Sequence, residues 1–463
     1  MKKINTLSKL LMIALISFWI VACGGGSSES EDLTGPTTYE IYTVDDLLWV
    51  ASRTHFPYHD TYILKANINL NGVEWKGIGD DLASFNGTFD GNNHTISGLK
   101  LSNNKQYTGL FGYILGSSEI ECAVIKDLKI TLQNGTINNN ITTHVGTLAG
   151  YANNAEINNI SISGSKLNVT LSKSNEILYV GGILGQNSNT TKITNSYFIT
   201  DIDVFRTATS TSLNGIHVGG ITAHSNGTIE KCYYKGNISA KSSANYTSAN
   251  AGGIAGYGSA KISYSTGKVE VEVKSSATAG GIIGSMNGTV ETCYSTATIN
   301  AKGTTAHAGG IAGSSSQLIN SCYATGNVVA ESTTNGAVVY AGGISGYSIN
   351  NIQNCAALNA SVQAKNTETS SSPANPQAKR IANANRTFSG NVARSDMTVR
   401  NNNINVTIDG NDAKITGRDG LGKTYSSMLQ AVQQNGLTTL TDGTGWGISN
   451  WSYTTGNHPV PKQ

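Results

Sequence analysis

"HAGGIAGSSSQLINSCYATGNVVA", residues 307–330, repeats "TAGGIIGSMNGTVETCYSTATINA", residues 278–301, almost position for position. Taking the first position of the "GGIxG" core, copies begin at Thr108, Gly146, Gly181, Gly219, Gly252, Gly280, Gly309 and Gly342, at spacings of 38, 35, 38, 33, 28, 29 and 33 residues. Repeats of this length build solenoids or propellers. The uneven period places insertions in loops that project from a regular stack.

Two columns follow each core. Ile125, Ile157, Ile193, Ile229, Ile262, Val290, Ile319 and Ile352 are β-branched and are expected to point inward from short strands. Three residues later stand Leu128, Ile160, Ser196, Cys232, Ser265, Cys293, Cys322 and Cys355, a column that narrows along the chain. A spacing of three breaks the alternation of one strand. The turn-tolerant Asp127, Asn159, Asn195, Ser321 and Asn354 fall between, so a sharp corner is predicted there. Short strands around a narrow apolar interior, each unit stacked on the next, make an all-β parallel β-helix. No 3.6-residue period runs through the repeats, and propeller blades need longer, more uniform units. Eight coils rising about 4.8 Å each give a rod about 40 Å long.

Composition agrees with many strands and tight turns. Of 463 residues 53 are Gly and 6 are Pro, and 13% are charged, against about 25% in an average soluble domain. The formal net charge of +2 comes without a basic block. Nucleic acid is therefore not expected as a partner, because its binding needs clustered Lys and Arg.

The flanks divide the rest of the chain. "MKK" and the apolar "LLMIALISFWIVA" (Leu10–Ala22) form a leader over residues 1–22, too short for a comfortable membrane span. "IVAC" resembles the bacterial lipobox, which implies that Cys23 becomes an acylated N-terminus anchored in outer-membrane lipid. Several acyl chains on one residue hold a bilayer stably. The alternative is an ordinary cleaved leader with a chance cysteine. Residues 23–37 read as a Gly- and Ser-rich tether. Its Glu29, Glu31 and Asp32 resemble the surface-export signal of some diderm lipoproteins, favouring the cell exterior over the periplasm. Residues 38–107 read as an N-terminal cap and opening coils. In "TVDDLLWVASRTH" (Thr43–His55) a Thr cap, an acidic residue three on and clustered Leu47, Leu48, Val50 and Ala51 predict a short helix over the first coil. Residues 108–365 hold the repeats. Residues 366–463, opened by the proline-bearing "SSSPANPQAKRIANA", read as a C-terminal cap with a helix at Ser426–Asn435, stopped by Gly436, and with Trp446 and Trp451 packed in it.

Together these features resemble the GLUG-motif family of bacterial surface and secreted proteins. The matching residues are the "GGIxG" cores, "GLFG" at Gly109–Gly112, "FNGTFDGNNHTISGL" at Phe85–Leu99, "SCYATGNV" at Ser321–Val328, and Trp446, Trp451 and Pro459. The resemblance runs from about residue 38 to the end. It implies a right-handed β-helix on a cell surface, in proteins taken to be adhesins, some large relatives carrying the module beside a metallopeptidase. This chain departs from those relatives in having no "HExxH".

Other chemistry is sparse. "HFPYHD" (His55–Asp60) has two His four residues apart, but Pro57 spoils a helix and no third ligand follows, so no metal site is expected. No GxSxG elbow or phosphate loop occurs, and no catalytic residue or cofactor is expected. A polysaccharide lyase or hydrolase remains the enzyme alternative. Its carboxylates would be the i,i+2 pairs Asp201 with Asp203 or Glu270 with Glu272, which otherwise read as solvated faces. Cys232, Cys293, Cys322 and Cys355 read as a structural column of stacked buried thiols, with a Cys293–Cys322 or Cys322–Cys355 bridge as the alternative. Tyr197, Tyr233, Tyr294 and Tyr323 follow the small column and should point outward, as a stripe for a sugar ring or as a stack that stabilises the rod; Tyr264 is ambiguous. The expectation is a surface adhesin or binding module for a glycan or an extracellular protein. A passive envelope component is the third possibility.

Overall fold

A coil that stacks on its neighbour must turn several times within some thirty residues and still pair its backbone along the axis. The computed structural model describes residues 37–408 apart from 58, 102–104, 120, 134, 140, 173–175, 189, 208–213, 335, 368–375 and 385–387. It also describes residues 419–423 and the backbone of Lys3–Ile4, Trp451–Ser452 and Val460–Pro461. The chain is an all-β parallel solenoid of about nine turns.

One coil shows the plan. A glycine strand (Thr305–Gly309) leads to a second strand (Ala312–Ser315), then to an isoleucine strand (Ile319–Asn320), a tyrosine strand (Tyr323–Ala324) and a valine strand (Val328–Ser332). Each pairs in parallel with its equivalents above and below. Gly309 lies between Gly280 and Gly342, Ile319 between Val290 and Ile352, and Ala330 between Ala301 and Ala364. The glycine strands alone form a nine-stranded parallel sheet. At about 4.8 Å per strand that sheet is about 38 Å long.

The inward column is as expected with one exception. Ile125, Ile157, Ile193, Ile229, Val290, Ile319 and Ile352 are all buried. Ile262 instead occupies the corner, half-buried at φ +47°. Ala260 fills the inward slot opposite Val290, after a register shift at Gly258. Ser263, not Ser265, therefore stands next to Cys232 in the small column, and Tyr264 falls into line between Tyr233 and Tyr294.

The corners explain the small column. Asp127, Asn159, Asn195, Ser321 and Asn354 have φ between +50° and +56°, and Lys231 and Thr292 are at +55°. For an L-residue this region costs roughly 1–2 kcal/mol, and it takes the next N–H out of the ladder. That N–H is received by a side chain of the following coil. Ile160 N–H donates to Ser196 Oγ (3.1 Å), Cys232 N–H to Ser263 Oγ (3.2 Å), Cys293 N–H to Cys322 Sγ (3.4 Å) and Cys322 N–H to Cys355 Sγ (3.4 Å). The same groups donate to the carbonyl two residues back, as Cys322 Sγ does to Asn320 O at 3.2 Å and Ser263 Oγ to Lys261 O at 2.8 Å. Cys232, Cys293, Cys322 and Cys355 are free thiols. Their sulfurs serve the corners instead of one another.

Both ends of the stack are visible in part. The capping helix is Val44–Ala51, with Thr43 and Asp46 forming a reciprocal cap; Leu47 and Val50 are buried, whereas Leu48 turns outward. At the other end the solenoid continues past residue 365. Gln377–Lys379 pairs with the glycine strand at Tyr340–Gly342, and Val392–Arg394 and Thr398–Asn401 extend the tyrosine and valine strands. "KRIANA" is thus a ninth core with Lys379 opposite Gly342, not the start of a cap. Its Arg380 is buried, and the fully buried Asp419 accepts the Arg380 N–H at 2.8 Å and pairs with Lys379 at 3.2 Å. The expected helix at Ser426–Asn435, Gly436, Trp446 and the Trp451 side chain lie outside the described residues, as do Cys23 and nearly all of the leader and tether.

Replacing Cys322 by Ser keeps one acceptor and one donor at the corner and should change stability by less than about 1 kcal/mol. Cys322→Val removes the acceptor of a buried N–H and should cost about 1–3 kcal/mol. Urea titrations of the two variants compare these costs directly.

Candidate functional site

Three outward columns run along the rod. The first is the expected tyrosine stripe. Tyr197, Tyr233, Tyr264, Tyr294 and Tyr323 stack with ring centroids 4.6, 4.9, 4.9 and 4.9 Å apart and planes within 14° of parallel. Every ring face between neighbours is therefore spent on the next ring, and only the outer faces of Tyr197 and Tyr323 meet no ring of the column. Tyr294 and Tyr323 are moreover only 2% and 0% exposed, although neither belongs to the central core. Of the two readings of this stripe, the parallel ring geometry favours the stack that braces the coils.

The second column carries the carboxylate pairs. Asp201 accepts the backbone and side-chain N–H groups of Asn237 at 2.7 and 3.2 Å, and Asp203 pairs with Lys166. Glu270 meets Lys268 at 3.0 Å and Lys241 at 3.2 Å; Glu272 meets Lys302 at 3.3 Å and Lys241 at 3.4 Å. The ladder continues through Glu331 to Lys365. Burial pushes the Glu270 carboxyl up, but hydrogen bonds from Lys268 and Lys241 outweigh it and hold the group below its usual range. A general acid needs the opposite shift. Among the described residues no group of three or more His, Cys, Asp or Glu is arranged to hold a metal.

The third column lies where the glycine strand meets the second strand. Alternate residues of both face outward: Tyr107 with Tyr113, His144 with Tyr151, Tyr179 with Gln186, His217 with His224, and Asn250 with Tyr257. Farther along come Thr278 with Ser285, His307 with Ser314, and Tyr340 with Tyr347; at the next position Asn383 is buried and donates to the carbonyls of Ala341, Gly346 and Gln377. At an ordinary corner outward side chains diverge. Here they touch, with centroids 5.0 Å apart for Tyr107 and Tyr113, 5.7 Å for His217 and His224, and 5.3 Å for Tyr340 and Tyr347. The corner is concave. The second glycine of each pair makes this possible, because a Cβ on Gly182 or Gly220 would run into the ring of Phe198 or Tyr234 from the opposite wall. The wall folds inward until it rests on the inward side chains of the tyrosine strand.

The concave corner is uncharged. None of these outward positions is Lys, Arg, Asp or Glu. Burial lowers His144 to about 4, against a partly offsetting hydrogen bond donated to Gln186 Oε1 and the charge of Glu176; it lowers His217 to about 3 and His307 to about 4. His224 is lowered as well, again mainly by burial. The imidazoles are neutral at physiological pH. Not every ring is spent on stacking: Tyr107 crosses Tyr113 and Tyr151 at 90° and 66°, and Tyr257 crosses His217 and His224 at 83° and 79°. Tyr113 and Tyr151 stack along the axis, and Tyr107 lies across them with its ring tilted 38° to that of His144 at 4.8 Å. A reading keyed to inward columns misses these residues. Their signal is a spacing of seven, from two positions before the glycine pair to one after the core, in most coils.

No family model matches the chain. It is similar to Halomucin of Haloquadratum walsbyi, 31% identical over an alignment of 166 positions that covers 33% of this chain and 2% of the length of Halomucin. It is also similar to a solved Bacteroides ovatus structure described as a candidate immunoglobulin A1 protease. That alignment covers 92% of each chain at 18% identity, with a TM-score of 0.35.

The corner histidines make stability depend on pH. Their folded values lie below the ordinary 6.5, so the unfolded chain binds more protons and acid favours unfolding. Stability should be complete above about pH 7 and fall as pH drops from 6.5 towards 4, by on the order of 1 kcal/mol per pH unit for each imidazole. Thermal midpoints across that window should fall less steeply for His217→Gln than for the parent chain.

Proposed function

We propose that this chain is a non-catalytic binding module displayed on the outside of a bacterial cell, with the concave corner as its binding face. The observation that carries this reading is the corner itself: a continuous inward fold of the wall, lined by half-buried aromatic, imidazole, amide and hydroxyl groups. Such a surface offers shape and hydrogen bonds without a charge requirement. The ligand class is a glycan or a host or matrix protein. The carboxylates an enzyme would need are paired with lysines or, at Asp201, hydrogen-bonded by Asn237, which favours binding over cleavage.

In the same reading the anchor is Cys23, acylated and held in outer-membrane lipid, with the tether carrying the solenoid clear of the bilayer. The leader, the "IVAC" sequence and the acidic residues after it support this placement. The likeness of the repeats to GLUG-motif surface proteins supports it as well. No helix among the described residues is long and apolar enough to cross a membrane.

Protease treatment of intact cells should degrade the chain together with known surface proteins, and Cys23→Ser should move it out of the membrane fraction. Survival of the parent chain under that treatment would remove external display from the reading. In a panel of immobilised glycans and matrix proteins, changing both Tyr107 and Tyr257 to Ala should reduce retention of the ligand, whereas Tyr264→Ala should not.

A further inference from the structure

We infer that the ligand of the concave corner is an uncharged polysaccharide lying parallel to the solenoid axis, bridging two aromatic patches across a low saddle. This rests on the corner being a binding face and names what it binds.

The first argument is electrostatic. Outward positions of the corner carry no ionisable side chain except neutral His and Tyr, whereas the valine strands alternate Lys and Glu. The residues two positions farther out on each wall are also uncharged, apart from Lys105, which pairs with Asp80 at 3.6 Å. An anionic polymer would find no cation there other than Lys105, already paired with Asp80, and its charge would be partly desolvated without a partner.

The second argument is backbone pairing. A peptide held along a sheet usually adds as a strand to an open edge. Here both walls are interior parallel ladders, with coils paired above and below, so the floor presents side chains and no free strand edge. A sugar chain needs no such edge. Its ring C–H faces lie on aromatic and aliphatic surface, and its hydroxyls exchange hydrogen bonds with neutral amides, phenols and imidazoles.

The third argument is shape along the axis. Rings are dense from Tyr107 to Tyr257, absent at Thr278 and Ser285, and present again at His307, Tyr340 and Tyr347. Exposed aliphatic side chains stand beside both patches, Ile177 next to the first and Val338 and Ile349 next to the second. The coil rise of about 4.8 Å is close to the length of one pyranose unit, so successive sugars can meet successive coils. A ligand that touches both patches must cross the saddle at Ser285, and short chains will reach only one patch.

The full chain is titrated with cello-, laminari- and manno-oligosaccharides from disaccharide to octasaccharide, with alginate, heparin and a collagen peptide in parallel, at low and high salt. The expected result is that one neutral series binds, that affinity climbs with length, and that salt leaves it unchanged. Tyr107→Ala combined with Tyr257→Ala should weaken the longest oligosaccharide by at least about 10-fold, with the parent circular dichroism spectrum retained. Ser285→Arg adds bulk at the saddle itself; it should abolish the gain in affinity from length, because a long chain then no longer reaches both patches. Binding confined to alginate, heparin or the collagen peptide would overturn the neutral polysaccharide and leave the binding module standing. Binding of a neutral series unaltered by both corner variants would remove the corner as its site. No binding to any probe in this set would overturn the polysaccharide inference, while retention of a ligand in the immobilised panel decides the module separately.

Discussion

The solenoid depends on one hydrogen bond made repeatedly at its sharpest corner. Each coil bends between the isoleucine and tyrosine strands through a residue in the left-handed region, and the bend withdraws the following N–H from the ladder. A buried, unpaired N–H at every coil would cost more than a marginally stable fold can bear. Ser196, Ser263, Cys322 and Cys355 each place a γ atom beneath such an N–H of the preceding coil and pass their own proton to a nearby carbonyl. Asn391 closes the series by accepting from Cys355 N–H at 2.9 Å. Ser and Cys interchange in this column because both carry one small polar atom at the γ position.

The second constraint is the glycine pair, and it links fold to function. At Gly182 and Gly220 the wall lies so close to Phe198 and Tyr234 that no Cβ fits between, so these glycines set the thickness of the rod at that point. The inward fold that results is also what brings outward side chains of two strands into contact. Core packing and the concave face thus have one cause. A larger residue at Gly182 or Gly220 would meet the ring of Phe198 or Tyr234 and push the walls apart there.

Charge is distributed accordingly. Lys and Glu alternate along the valine strands, where they are partly exposed and pair between coils, while the concave corner keeps neutral groups. Surface ion pairs of this kind contribute little to stability individually, but alternating signs keep like charges from facing each other at the short coil spacing. The tyrosine column does the equivalent with rings, and its parallel stacking at 4.6 to 4.9 Å is a consequence of that spacing.

The sequence by itself determined the parallel stack, its one-repeat-per-coil register, the buried isoleucine column, the corner and the capping helix, since each follows from local chemistry repeated at a fixed place. Where a repeat is shortened this failed: Ile262 has the residue type of an inward position, but the shift at Gly258 gives that slot to Ala260. "KRIANA" hid a ninth coil because Lys379 and Arg380 replace the glycines, an exchange that makes sense only once Asp419 is seen beside them. Which outward face could receive a ligand was decided by tertiary structure alone. Alternation along a strand says that Tyr233 and His217 both leave the core, but not whether neighbouring walls diverge or converge. Convergence comes from the contact of Gly220 with Tyr234 across the rod, and stacking between coils, not residue type, spends the faces of the tyrosine column.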